Sequence, residues 1–231
     1  DLLSLTFIKE QEFVAWSHSD TDGEFKSVCT IVESATIGFQ NYIYTAVERT
    51  IGVTVVQYIE MFVERIFTNG VTDAWTVDSG LQYSGAPATS FSGAEHLAGK
   101  TVTGLADGVA ITPFTMPASG RFTLPAASKV TVGLAYTCDL QTLYLDTGDP
   151  TIQAKMKKLG PETLRVTDTL GLKIGTSFDD LVVMKDLVVG NVGSMTNERV
   201  TDLVTGDVRT FIDPKWQEEG TICIRQSLPY P

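Results

Sequence analysis

The stretch KTVTGLADGVAITPFTMPASGRFTLPAASKVTVGLAYTCDL (residues 100–140) decides how the rest of the chain is read. Val130, Val132, Leu134 and Tyr136 take every second place in KVTVGLAYT, which puts them on one buried face of a strand. Val102 and Leu105 lead into Ala106-Asp107-Gly108, and Val109 and Ile111 lead out. Asp-Gly between apolar runs is a strong local signal for a hairpin. Phe122 and Leu124 open a further strand after Ser119-Gly120. Four or five short strands bent at Gly and Pro predict a small closed or half-closed barrel.

Upstream lies WTVDSGLQYSGAPATSFSGAEHLAGKTVTGLADG (75–108), broken by Gly80, Gly85, Gly93, Gly99, Gly104 and Gly108. Residues 72–99 read as a connection that is too long to be structureless, and so is expected to pack along neighbouring strands. Leu81, Tyr83, Leu97 and Val102 need a core. Residues 1–71 read as strands: LLSLTFIKE, EFVAWSHS, EFKSVCTIVE, NYIYTAVERT and TVVQYIEMFVERI. In the second, Val14, Trp16 and His18 alternate with Phe13, Ala15 and Ser17. DTDG (20–23) predicts a hairpin through Asp22-Gly23, and Ile51-Gly52-Val53 a second turn. Val55, Ile59, Phe62 and Ile66 also fit a helical stripe. The β-branched run Val53-Thr54-Val55-Val56, with a hairpin partner of similar length, decides for strand.

Downstream, an extended strand through Lys155, Lys157 and Lys158 is preferred over a short helix, which Pro161 would stop. ETLRVTDTLGLKIG (162–175) and LVVMKDLVV (181–189) read as strands, and GNVGSMTNERV (190–200) as a polar loop. DVRTFIDPKW (207–216) and GTICIRQ (220–226) read as two strands about the turn Gln217–Gly220. The expected class is mainly β with little helix. A larger antiparallel β-domain, propeller-like or sandwich-like, is discontinuous over 1–77 and 146–231. Residues 78–145 form the connection and an inserted small β-barrel with its ends close together.

A hydrophobic fraction of 43% and a charged fraction of 19% are those of a globular chain. No apolar run is long enough to span a bilayer, and the N-terminus lacks the basic start of a signal peptide. Both ends fall inside strand-like sequence, so a piece of a longer chain is expected. The 17 basic and 28 acidic residues give −11, which disfavours a grip on nucleic-acid backbones and makes copies repel. Cys29, Cys138 and Cys223 form no metal pattern and are expected as buried free thiols.

No residue is assigned a catalytic, cofactor-binding or metal-binding role. Ser17, His18 and Asp20 resemble triad members in type, but strand neighbours point to opposite faces. His96 is expected to bond a backbone group within the connection. Asp179-Asp180 and Glu218-Glu219 are expected in solvated turns rather than opposed across a cleft. DTDG lacks the bidentate Glu of a calcium loop, and no phosphate-cradling glycine motif occurs. Trp16, Trp75 and Trp216 are expected to anchor a core or an interface; a sugar-stacking platform is the lesser reading.

DSGLQYSGAPATSFSGAEHLAGKTVTGLADG (78–108) resembles a recurrent signature of the tail nozzle, or tail tubular, proteins of short-tailed bacteriophages and prophages. Its companions are AWSHSDTDG, LPAASKVTVGLAYTCDLQTL and the terminal EEGTICIRQSLPYP. The segment from 100 is similar to the small barrel named after the first catalytic-cysteine half-domain of ubiquitin-activating enzymes. LTFIKEQEFVAWSHSDTDGEFKSV looks like one unit of a propeller-like platform. The resemblance implies a virion structural protein of the tail, assembled in the bacterial cytoplasm. Copies would form a ring, six in the usual architecture, with other tail and adaptor proteins, and DNA would pass through unbound. It implies no enzyme activity, cofactor, membrane or small-molecule substrate. The alternative is a carbohydrate-binding or adhesin-type β module.

Overall fold

The computed structural model describes residues 1–34, 38–144, 155–184, 202–213 and 215–231. These residues are mainly β, in several antiparallel sheets, with no helix of seven or more residues. Strands β1 (Leu2–Ile8) and β2 (Phe13–Ser19) form an isolated hairpin. Strands β3 (Glu24–Ser34), β4 (Phe39–Ile51) and β5 (Thr54–Met61) form a three-stranded meander. The reading of 54–61 as strand holds: β5 pairs β4 from Ile51↔Thr54 to Tyr44↔Met61 across the Gly52-Val53 turn, with Gly52 at φ 62°.

Strands β6 (Asp78–Phe91), β7 (Thr101–Ala106), β8 (Val109–Thr115) and β9 (Phe122–Leu134) form one sheet in the order β6-β9-β7-β8. The Asp107-Gly108 hairpin is present, with Ala106 opposite Val109 and both turn residues at positive φ. The sheet does not close. Its edge strands β6 and β8 carry Pro87 and Pro113, which have no N–H to give a ladder. The expected small barrel is therefore not closed; the residues form an open four-stranded sheet. Phe91, Leu97, Val102, Ile111, Met116, Phe122 and Val130 share its core, with Phe91 and Phe122 stacked at 5.4 Å.

The glycine-broken stretch expected as a connection is, over 78–91, the longest strand among the described residues, at 14 residues. Its glycines mark close approach rather than turns. A Cβ on Gly80 would lie 2.5 Å from Trp75 Nε1, and one on Gly85 2.9 Å from the Tyr83 hydroxyl. The register shifts three times along the β6–β9 ladder, so the strand is bulged and bent without being interrupted. DTDG is likewise not a hairpin: β2 pairs β1, β3 pairs β4, and Asp22-Gly23 turns the chain from one ladder to the other. Gly23 is required there because a Cβ would lie 2.4 Å from the Glu48 carbonyl oxygen.

The remaining strands are β10 (Cys138–Gln141), β11 (Lys157–Lys158), β12 (Glu162–Thr169), β13 (Lys173–Ser177), β14 (Asp180–Val183), β15 (Val204–Thr210), β16 (Trp216–Gln217) and β17 (Cys223–Gln226). They form a sheet ordered β10-β17-β13-β14 and the pairs β11-β16 and β12-β15. Of the lysine strand only Lys157 and Lys158 lie in a ladder; 145–154 and the polar loop 190–200 fall outside the described residues. The strands in DVRTFIDPKW and GTICIRQ do not pair with each other, since β15 finds β12, Trp216 in β16 finds β11, and β17 finds β10 and β13. Among the described residues no strand of 1–61 shares a ladder with a strand beyond 134. Tyr136 falls outside β9, and the chain enters the C-terminal sheet at Cys138, short of the expected boundary at 145.

Burial is unequal. The β6–β9 sheet has its own core, and a second core gathers Val166, Ile174, Met184, Val208 and Ile212. Between them, Val71, Ala74, Leu105, Leu170 and Tyr230 form a third cluster. The C-terminal tail is fastened there: the Ala110 N–H donates to the Tyr230 hydroxyl at 3.0 Å and the Leu170 N–H to the Pro231 carbonyl at 2.8 Å. In β1–β5 only Thr45, Val47 and Arg49 are buried among the described residues.

Candidate functional site

Arg49 sits on β4 in the same alternating row as Thr45 and Val47, so the pleat turns it inward, where it is 3% exposed. A buried guanidinium is costly unless its donors are answered. Nε and Nη2 donate to both carboxylate oxygens of Glu60 on β5, each at 2.7 Å. Nη1 donates to the Asp22 carbonyl at 2.8 Å, and Nη2 faces Asp78 of β6 at 3.4 Å. Burial alone would push the Arg49 pKa down; the Glu60 and Asp78 carboxylates outweigh it and raise it. The Ser79 hydroxyl donates to Glu60 and the Thr21 hydroxyl to Asp78. Lys100 pairs with the Asp22 carboxylate at 2.6 Å. This network ties the three-stranded meander, the 20–23 link and the start of β6 to one another. Sequence reading passed over Arg49, although its register with Val47 in NYIYTAVERTI carried the signal.

His96 behaves as expected: its Nε2 lies 2.9 Å from the Ser79 carbonyl oxygen, in a 3-10 turn, with Tyr58 edge-on at 5.9 Å. Ser17 and His18 lie on opposite faces of β2, opposite Ser4 and Leu3 respectively, so no triad with Asp20 forms. Asp179 lies in the β13–β14 turn; Asp180 opens β14 and pairs with Lys215 at 2.5 Å. Glu218 and Glu219 lie in a bend, exposed. Among the described residues no three His, Cys, Asp or Glu side chains gather as a metal site. A shallow depression of about 420 Å³ is lined by Ser90, Phe114, Pro117, Arg121, Phe122 and Thr123. It holds no carboxylate or histidine.

The cysteines depart from expectation. Cys223 is buried, and burial pushes its thiol up, but Cys29 and Cys138 are exposed on β3 and β10. The tryptophans depart as well. Trp75 is half-buried against Gly80, but Trp16 is 68% exposed and Trp216 63%. Trp16 and Trp216 stand on different sheets, β2 and β16, and do not form one platform.

The main surface feature is apolar. Register pairs Leu3 with His18, Leu5 with Trp16 and Phe7 with Val14, so these side chains share one face of the β1–β2 hairpin. The other face carries Leu2, Ser4, Thr6, Ile8, Ala15, Ser17 and Ser19. Leu3, Leu5, Phe7, Val14 and Trp16 are each half or more exposed. The β3–β5 meander is uncovered except around Thr45, Val47 and Arg49, and the face that carries them also exposes Val28, Val32, Phe39 and Ile43. The opposite face presents Ile31, Val55, Ile59 and Met61 together with Tyr42 and Tyr44, and Ile59 is 80% exposed. A two-stranded hairpin with a bare apolar face is marginal in water, and contiguous apolar patches of this extent mark interaction sites. Among the described residues no helix is long and apolar enough to cross a membrane.

Neither a scan against protein-family models nor a search of curated proteins finds a match for this chain.

Proposed function

We propose that this chain is a structural subunit of a larger assembly and not a catalyst. Within that class it is a tail nozzle, or tail tubular, component of a short-tailed phage or prophage particle. The observation that carries the assembly reading is the bare apolar face of the β1–β2 hairpin, backed by the exposed Val55 and Ile59 of the meander. Surface of that kind has no use in a free monomer and a clear one at a subunit contact. Support for the tail comes from the sequence resemblance centred on 78–108. A net charge of −11 suits a conduit that lets DNA pass without holding it, because a phosphate backbone is gripped by clustered cations.

In this reading copies of the chain stand in a ring beside other tail and adaptor proteins, and the lumen is electronegative. Particles induced from the source bacterium and labelled with antibody against this chain are expected to show label at the tail end by electron microscopy. Purified particles that lack the chain altogether would remove the tail assignment. The carbohydrate-binding alternative draws on the exposed Trp16 and Trp216. It requires glycan binding that Trp16→Ala or Trp216→Ala abolishes, and the assembly reading expects none.

A further inference from the structure

We infer that Tyr230 is the latch of a hinge. Seated, it holds the β6–β9 sheet against the C-terminal strands; withdrawn, it frees the two to swing about residues 135–137. The device stands whatever the chain assembles with.

Each of the two bodies is complete without the other. The β6–β9 sheet and the C-terminal strands have separate ladders and separate cores. The chain passes between them once, after Leu134 ends β9 and before Cys138 opens β10. Residues 135–137 have no ladder partner. Among the described residues one hydrogen bond joins 62–134 to 138–231, from the Ala110 N–H to the Tyr230 hydroxyl at 3.0 Å. One apolar cluster joins them as well, with Val71, Ala74 and Leu105 on one side and Leu170 and Tyr230 on the other.

The socket is built before the tyrosine enters it. Asp73 and Lys129 tie the turn Gly70–Asp73 to β9 at 2.5 Å. That turn lies so close on the β7–β8 hairpin that a Cβ on Gly108 would come within 2.7 Å of Val71 Cγ1. Neither contact involves Tyr230. The plug is braced from its own side. The Leu170 N–H donates to the Pro231 carbonyl at 2.8 Å, and Gln226 Nε2 donates to the carbonyls of Leu170 at 2.6 Å and Tyr230 at 3.2 Å. Gln226 stands opposite Cys138 in the β10–β17 ladder, so the brace of the latch and the end of the hinge share one rung. A swing at 135–137 therefore pulls on the residue that aims Tyr230.

The joint is small enough to open. A buried tyrosine removes roughly 150–250 Å² from water, against about 600–1,500 Å² for a typical interface between domains. Domains of one chain move relative to each other unless a large apolar interface stops them. Here a ring at 3% exposure, Leu170 and one hydrogen bond close the joint, and each core survives its opening.

Pulsed dipolar spectroscopy on the full chain tests this. The exposed Cys29 and Cys138 are replaced by serine, the buried Cys223 stays, and spin labels are placed through Ser119→Cys and Thr163→Cys, both exposed positions. The parent should give one narrow distance distribution and Tyr230→Ala a broad one. Amide exchange at Ala110 should quicken about tenfold or more in Tyr230→Ala, while Val132 in β9 and Ile174 in β13 keep their parent rates. Tyr230→Phe, which keeps the ring, should stay near the parent distribution, and so should Phe211→Ala, which removes an exposed ring from the same body. A Tyr230→Ala distribution as narrow as the parent's would overturn the inference, as would equal broadening by Phe211→Ala. Exchange at Val132 or Ile174 as fast as at Ala110 would overturn it too, because the two sheets would then open as one body.

Discussion

Replacing Arg49 with methionine removes the charge at the junction while keeping most of the side-chain stem. The guanidinium makes two 2.7 Å bonds to Glu60 and a 2.8 Å bond to the Asp22 carbonyl, and faces Asp78 at 3.4 Å. Removing one partner of a buried ion pair costs about 3–5 kcal/mol, because the other charge stays behind uncompensated. Here the side chains of Glu60 and Asp78 keep 21% and 28% of their exposure, so water can recover part of their solvation. That discount brings the expected cost to about 2–3 kcal/mol. In a chain of this length each kcal/mol lowers the melting temperature by roughly 2–4 °C, giving a fall of about 4–12 °C. Calorimetry reads the fall, and amide exchange locates it in β4, β5 and the first residues of β6. Adding Glu60→Gln to Arg49→Met removes the stranded charge and should return about 1 kcal/mol. A single variant within about 1 °C of the parent would refute the reasoning, and so would a double variant no better than the single.

The Asp73 carboxylate accepts from Lys129 Nζ at 2.5 Å, and this bond holds its pKa below the ordinary value, with a smaller contribution from the Asn69 N–H. A depressed pKa means that the unfolded chain binds the proton more readily, so the stabilisation is complete above about pH 4 and fades as pH falls through the folded-state pKa. Asp73→Asn should therefore flatten the acid limb of a stability-against-pH curve. In Tyr230→Phe the Ala110 N–H loses its acceptor next to a buried cluster, a loss of about 1–2 kcal/mol in urea denaturation. Gly104→Ala would set a Cβ 1.9 Å from the Thr131 carbonyl oxygen across the β7–β9 ladder. The strand must shift to admit it, at about 2–3 kcal/mol, read from the same denaturation midpoint.

Where residues act on their immediate neighbours, the sequence was a sufficient guide. Asp107-Gly108 and Gly52 adopt the positive φ their hairpins need, and flanking alternation fixes the pairing. The strand at 54–61 followed from its β-branched run. Where a residue's role depends on what lies across from it, the guide failed. Gly80 and Gly85 read as breaks, yet each is small because Trp75 or Tyr83 lies over it within a continuous strand. Asp22-Gly23 carries a hairpin signal, but the pull of Arg49 on the Asp22 carbonyl and the nearness of Glu48 give that turn another direction. The chain's last strands show the same limit. GTICIRQ and DVRTFIDPKW are near in sequence, but each pairs with a strand at least 30 residues away. Cys29 and Cys138 belong here too, because an apolar strand predicts a buried thiol only when something covers it.

The division between covered and uncovered strands has a consequence for how contacts are aimed. The β6–β9 sheet and the C-terminal strands enclose apolar cores, whose driving force is in itself non-directional. The hairpin and meander have no such core. They are fixed by a guanidinium with donors in a planar fork and by a four-residue link tied at three points. Hydrogen bonds to a planar charge depend on angle, so this junction sets the direction in which the apolar faces are presented. In the assembly proposed above, a subunit that meets its neighbour at one fixed angle needs that property more than it needs extra stability. Arg49, the charged side chain buried among the described residues, lies where the meander, the link and the β6–β9 sheet converge, and not in either core.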